Sequence, residues 1–384
     1  MTKPLLFTPI SLRDVQLKNR VVISPMCQYS AKDGLANEWH LVHLGKFAQG
    51  GAGVVFVEAT AVHPHGRITH GDMGIWSDAH VPPLKRIADF VKSQGAVPAM
   101  QLAHAGRKAS MQRPWHGNGP IDATDRARGE EAWPIVAPSA IPMDEGWLTP
   151  SALSTNDIKS LCEDWRAAVL RSLEAGFQIL EMHGAHGYLF HEFLSPLSNK
   201  RNDAYGGDLA GRMRFPLEVV EKIREVWPKG FPLFTRISSV DGLEGGWTLE
   251  DSVAYARELK ARGVDVIDCS SGGLVGSATA ARVPRGLGFQ VPFAERIRKE
   301  AGIKTMSVGL IVEPQQAESI LKNGQADLIA IGREALFNPN WPLQAEFMLA
   351  GGNETTFSDW PQQYGWWLQR REPVLRAARA AAKS

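Results

Sequence analysis

Three cysteines among 384 residues, Cys27, Cys162 and Cys269, are too few and too scattered for a four-thiolate iron–sulfur cluster or a zinc finger. They do not form the framework of a secreted disulfide protein either. An excess of one charge is also missing. Lys and Arg total 42 against 41 Asp and Glu, a net charge of +1, so no basic face is implied for nucleic acid or a membrane surface. No apolar run approaches a membrane span, and Met1–Pro9 lacks the apolar core of a signal peptide, which makes the cytoplasm the expected compartment. Two nucleotide signatures are absent as well. No G-x-G-x-x-G follows a strand-like run, and G-x-x-x-x-G-K-[ST] does not occur. What is present, 44% hydrophobic and 22% charged residues, is the composition of a soluble globular chain, long enough for one large barrel or two ordinary domains.

Eight short apolar runs, most of them rich in β-branched residues, read as strands: Val21–Met26, Val54–Ala59, Val97–Leu102, Phe177–Met182, Leu233–Ile237, Val264–Cys269, Lys304–Val308 and Asp327–Ile331. Amphipathic segments fall between them, among them Leu161–Leu173, Arg212–Val226, Leu249–Ala261, Phe293–Lys299 and Pro314–Leu321. Thr248 with Asp251, and Ser154 with Asp157, have the spacing of helix-start caps. Continuous apolar strands alternating with helices call for a parallel sheet covered on both faces. Eight such units predict an α/β fold, a closed (β/α)8 (TIM) barrel, with the doubly wound sheet as the alternative. Three segments exceed what a barrel needs. Ala105–Pro150 and Gly187–Gly211 read as ordered lid loops over the mouth. Residues 351–384 form a C-terminal arm beyond a barrel spanning 1–350, ending in an Ala/Arg-rich tail, Ala377–Ser384, expected to fray.

The densest chemistry lies at Glu181-Met182-His183-Gly184-Ala185-His186-Gly187-Tyr188, where the fourth run ends. Strand ends are where a (β/α)8 barrel binds its ligands. Two imidazoles three positions apart can converge on one ligand oxygen, with a phenol two residues further on. That set suits polarising a carbonyl and delivering a proton. It equally suits zinc, because HxxH beside a glutamate offers ligands, and plain loop packing is the third reading. The motif alone leaves the three open.

Motifs at successive strand ends decide between them. Ser24-Pro25-Met26-Cys27-Gln28-Tyr29, Gly53–Thr60, Gln101–Lys108, His183–Tyr188, Arg201–Gly207, Arg236 and Ile331-Gly332-Arg333 together resemble the Old Yellow Enzyme flavoproteins, in particular the xenobiotic and ene-reductases of the thermophilic-like subgroup. The likeness covers nearly the whole chain. It implies bound FMN, held by Ser24, Pro25, Met26, Cys27, Ala59, Gln101, Arg236, Gly309, Gly332 and Arg333. Physical readings accompany these roles. The Gly302–Gly309 and Ile331–Arg333 stretches close the seventh and eighth strands, the usual phosphate site, where glycine lets backbone N–H groups approach and Arg333 adds charge. Arg236 would counter negative charge on a reduced flavin; otherwise it pairs with a carboxylate such as Glu181. Gln101 offers both a donor and an acceptor to the flavin pyrimidine edge, or else is satisfied by backbone. Cys27 is a core hydrophobe by its residue type and a tuner of the flavin potential by the resemblance. Tyr29 points to the same side as Cys27 if the chain stays extended, and the resemblance makes it a substrate contact.

The resemblance further implies that His183 and His186 hold the oxygen of an activated alkene (an α,β-unsaturated carbonyl, nitroalkene or maleimide) while Tyr188 protonates Cα. The hydride comes from NAD(P)H by way of the flavin in a ping-pong sequence, with no metal. Trp367 and Arg370 resemble the subgroup's tail, one or other of which enters the neighbouring subunit's site, so a homodimer or homotetramer is expected. Two alternatives remain: another flavin barrel, of the dienoyl-CoA or amine-oxidising kind, and a non-catalytic flavin sensor switched at Cys27.

Overall fold

The protein is described here as a computed structural model covering residues 3–276, 283–351 and 357–382. Eight strands, β1 (Val21–Ile23), β2 (Val54–Ala61), β3 (Val97–Ala103), β4 (Ile179–Gly184), β5 (Leu233–Ser238), β6 (Val266–Ser270), β7 (Lys304–Ser307) and β8 (Leu328–Ile331), close into a barrel in the order β6-β7-β8-β1-β2-β3-β4-β5. Every neighbouring pair is parallel. The expected eight-stranded barrel is therefore the observed one, and the doubly wound alternative falls.

The strands are buried on both faces, so they read as continuous apolar runs. Val22, Val54, Phe56, Val97, Ala99, Ile179, Phe234, Val266, Met306 and Leu328 fill the interior together with Leu12, Val15 and Leu17. Those three come from an antiparallel ribbon, Ile10–Leu12 with Val15–Leu17, that packs against this interior cluster. Alternate residues such as Val21, Ile23, Val55 and Val57 point outward to the helices. The longer helices are α1 (Glu38–Gln49), α2 (Val81–Ser93), α3 (Thr155–Glu174), α4 (Leu209–Val226), α5 (Leu249–Ala261), α6 (Val291–Ala301), α7 (Pro314–Lys322) and α8 (Trp341–Leu349), followed by α9 (Gln362–Ala381). Both expected caps form: Ser154 with Asp157 opens α3, and Thr248 with Asp251 opens α5.

Several expectations need correction. β1 ends at Ile23, not Met26, and β4 begins at Ile179, not Phe177. Gly302 does not sit at the mouth. It terminates α6 in a left-handed conformation, φ 62°. The segment Gly187–Gly211 is not a lid throughout, because Leu189–Leu194 is a short helix with all six side chains buried. Beyond it, Arg201 ties this segment to the preceding insertion by donating to the Pro138 and Leu153 carbonyls, at 2.9 and 2.5 Å. The C-terminal tail continues as helix to Ala381 rather than fraying, and Lys383 and Ser384 lie outside the described residues. Residues 352–356, at the start of the expected arm, also lie outside them. Among the described residues no helix is long and apolar enough to cross a membrane.

Candidate active site

A cavity of about 280 Å³ opens at the C-terminal end of the barrel. Eight of the residues singled out in the sequence line it: Ser24, Pro25 and Met26 after β1, His186 after β4, Arg236 on β5, Gly309 after β7, and Gly332 and Arg333 after β8. Gly309 has to be glycine. Its φ is 114°, and a Cβ there would lie 2.8 Å from the Gln290 amide and the Phe289 ring. The Ser24 hydroxyl is buried without a hydrogen-bond partner, and the Arg236 Nε, which makes no hydrogen bond, lies 3.2 Å from an Asp268 carboxylate oxygen. Buried polar atoms are normally satisfied, so an unpaired hydroxyl and a guanidinium lining one cavity suit a polar, anionic guest.

Strand register explains how the charged groups meet. Arg236 stands opposite His183 on β4 and opposite Asp268 on β6, while Gln101 on β3 stands opposite Glu181. The carboxylate against Arg236 is accordingly Asp268, at 3.2 Å, and not Glu181. Gln101 donates to Glu181 Oε1 at 2.8 Å, so a side chain and not backbone engages its amide, leaving its second N–H and its carbonyl to offer. Burial pushes the Glu181 and Asp268 carboxyls up, Glu181 further through the Asp268 charge, with Arg236 opposing both shifts.

His183, His186 and Tyr188 do come together. The His183 ring lies 5.4 Å from that of His186 and 4.9 Å from that of Tyr188, both edge-on. Their environments differ, however. His183 Nδ1 accepts from the Ala185 N–H at 3.4 Å, which leaves Nε2 to carry the ring proton. His186, held at φ 61°, places Nε2 2.6 Å from the Ser270 hydroxyl, so that nitrogen is already engaged. Burial, reinforced by the Arg236 charge, drives both imidazoles well below their usual range, and each is neutral at physiological pH. Burial pushes the Tyr188 phenol well above its usual value, with the nearby Cys27 and Asp72 adding to the shift, so it stays protonated.

Cys27 is half-buried and Ala59 buried. Burial, then Asp72 and Glu58, raise the Cys27 thiol well above its usual value. Tyr29 departs from the extended chain expected of it, with φ 52°, and packs edge-on to Trp115 at 5.8 Å. Burial pushes its phenol up, with nearby Cys27 and Tyr188 adding to the shift. Trp367 and Arg370 lie on α9, and neither lines the cavity of their own chain. Arg370 instead stacks over Trp366 at 3.4 Å. The histidines form no metal cluster among the described residues. The one grouping there with suitable spacing is His116, Asp125 and Glu130, whose carboxylates already pair with Arg128 and Arg113.

Some contributors were invisible in the sequence. Lys108 is fully buried and donates from Nζ to the backbone carbonyls of His186, at 2.9 Å, and Gly273, fixing the histidine turn. Ser270 and Gln290 line the cavity beside His186. Lys108 stood inside a quoted motif, but nothing in a linear pattern shows that a lysine is buried.

The NADH:flavin oxidoreductase / NADH oxidase family model matches residues 5–350. The chain belongs to that family. It is therefore an NAD(P)H-dependent flavin oxidoreductase that takes FMN, and the Old Yellow Enzyme likeness is borne out. An NADPH dehydrogenase of Geobacillus sp. (strain WCH70) is 47% identical over 343 residues, 89% of this chain and 93% of that one. Morphinone reductase superposes with a TM-score of 0.73 at 28% identity, covering 90% of each chain. A 2-naphthoyl-CoA reductase shares the fold, with a TM-score of 0.79 at 24% identity, but this chain spans only 52% of its length.

Proposed function

We propose that the enzyme is an ene-reductase: it reduces activated C=C bonds with electrons from NAD(P)H, in two half-reactions that share one pocket and so proceed by ping-pong kinetics. The observation carrying this reading is the cluster of two neutral imidazoles and one protonated phenol beside the Arg236 cavity. The orphaned Ser24 hydroxyl and the cavity-lining Arg236 guanidinium fit FMN. Gly309, Gly332 and Arg333 would hold its phosphate, and Ser24, Gln101 and Arg236 its polar ring edge. Pro25, Met26, Cys27 and Ala59 would flank the ring, with Cys27 tuning its potential. When bound, FMN supplies the two-electron carrier that the protein's own side chains lack.

The chain's residues do the rest. His183 Nε2–H donates to the carbonyl or nitro oxygen of the alkene, and His186 joins it by exchanging Ser270 for that oxygen. Neutral N–H donors aimed at the oxygen lower the energy of the developing enolate. Tyr188 then gives its phenolic proton to Cα, while Tyr29 contacts the substrate. Trp366 and Trp367 are both exposed on α9, which supports docking of this helix on a second copy in a dimer or tetramer. The sensor alternative loses ground on Cys27 itself, because a thiol held protonated by burial is a poor redox switch.

The test is direct. Purified protein is bleached anaerobically with NADPH and then mixed with 2-cyclohexenone, a nitroalkene or a maleimide. The reading predicts that the yellow colour returns with one equivalent of saturated product. A protein that is bleached and then recovers its colour only with dioxygen would not be an ene-reductase.

A further inference from the structure

Behind Tyr188 lies a second, much smaller cavity that none of these roles uses. It offers about 10 Å³ to the centre of a water, room for one molecule. Its walls are Ala59, Ala61, Gly66, Ile68, Ala103 and Ala105, and the two polar side chains on them are Tyr188 and Asp72. Asp72 is 2% exposed and Tyr188 7%. We propose that Asp72 reloads Tyr188 with a proton through a single water held in this cavity. The proposal rests on the reading of Tyr188 as the acid that protonates Cα.

The steps balance. In the reduction, the Tyr188 O–H bond breaks and its proton forms the new C–H bond at Cα. The tyrosinate then takes a proton from the cavity water, and that water takes one from the Asp72 carboxylic acid. Asp72, left as carboxylate, is reprotonated from solvent before the next turnover.

The carboxyl is fixed for this task. Asp72 Oδ2 accepts from the Ile68 N–H at 2.7 Å, and Oδ1 accepts from the Thr69 N–H and hydroxyl at 3.2 and 2.8 Å. Three donors alone would hold an aspartate low, yet burial outweighs them and pushes this one up to about 6. The charged and titratable neighbours are Arg67 and Arg113, which favour the carboxylate, and Glu58, Cys27, Tyr29 and Tyr188, each of which the Asp72 charge holds more firmly protonated. The site thus holds a readily donated proton in mildly acidic solution, up to about pH 6, next to a phenol that has just lost one.

Asp72→Asn separates this role from a structural one. A single turnover of pre-reduced enzyme starts with Tyr188 already protonated, so its rate should stay within about twofold of the parent. Steady-state kcat should fall about tenfold or more, with KM unchanged. Ala61→Val, which fills the cavity but leaves the three Asp72 hydrogen bonds intact, should reproduce this split if Asp72→Asn folds poorly. An infrared carboxylic-acid band titrating near pH 6 in the parent and absent from Asp72→Asn would place the proton on this group. Equal slowing of single and multiple turnovers, an unchanged kcat in both variants, or no such band would overturn the relay. Tyr188→Phe run in parallel keeps the two readings apart: if its single turnover is normal, the assignment of Tyr188 fails rather than that of Asp72.

Discussion

His183 and His186 look equivalent in the sequence and are not equivalent in the fold. One has a free Nε2–H, while the other already contacts Ser270. His183→Ala should therefore weaken binding of a phenolic or carbonyl ligand by about 1–3 kcal/mol, and His186→Ala by about 1 kcal/mol, because the Ser270 contact must be given up first. Flavin titration with p-hydroxybenzaldehyde reads both, and equal losses would contradict the asymmetry. The HxxHxY pattern was legible because it lies on one strand end. The pairing of Arg236 with Asp268 was not, since it depends on the register between β5 and β6, and Glu181 was as plausible a partner on residue type alone.

At the scale of elements, the apolar runs located all eight barrel strands, and five helices fell where the periodicity put them. Their ends were harder to read. Pro25 lacks the N–H that would carry β1 onward, and Gly176 at φ 87° turns the chain so that β4 starts three residues later. The helix Leu189–Leu194 escaped notice because it is buried on every side and so has no amphipathic period. The helix α9 carries its own prediction. Deleting residues 361–384 should reduce the assembly to smaller species by light scattering and raise KM for the alkene, with flavin content maintained. Unchanged mass and KM would leave α9 as a helix packed only on its own barrel.

For the whole molecule, buried ionisable groups at the barrel mouth tie stability to pH. Glu192, fully buried, is raised from 4.5 to about 8, chiefly by burial. A raised folded value means that its contribution is fully present below pH 4.5 and is lost as pH rises through about 8. Asp72, raised from 3.8 to about 6, adds a loss of the same sign at lower pH. Lys108, lowered from 10.5 to about 7, acts oppositely: its contribution is present above 10.5 and lost as pH falls through about 7. Glu192→Gln should thus flatten the decline in denaturant-measured stability between pH 5 and 7, a slope of at most about 1.4 kcal/mol per pH unit for one proton. An unchanged slope would mean that Glu192 does not hold that proton.

The central claim is that Tyr188 is the acid of the alkene half-reaction, and stopped-flow spectroscopy of Tyr188→Phe tests it most directly. The substitution removes one hydroxyl from a buried phenol that is protonated throughout the working range. Bleaching by NADPH should proceed at the parent rate, whereas recovery of the colour with 2-cyclohexenone should slow by about 10²–10⁴-fold. Modest and equal slowing of both phases would contradict the account and leave Tyr188 as a packing residue.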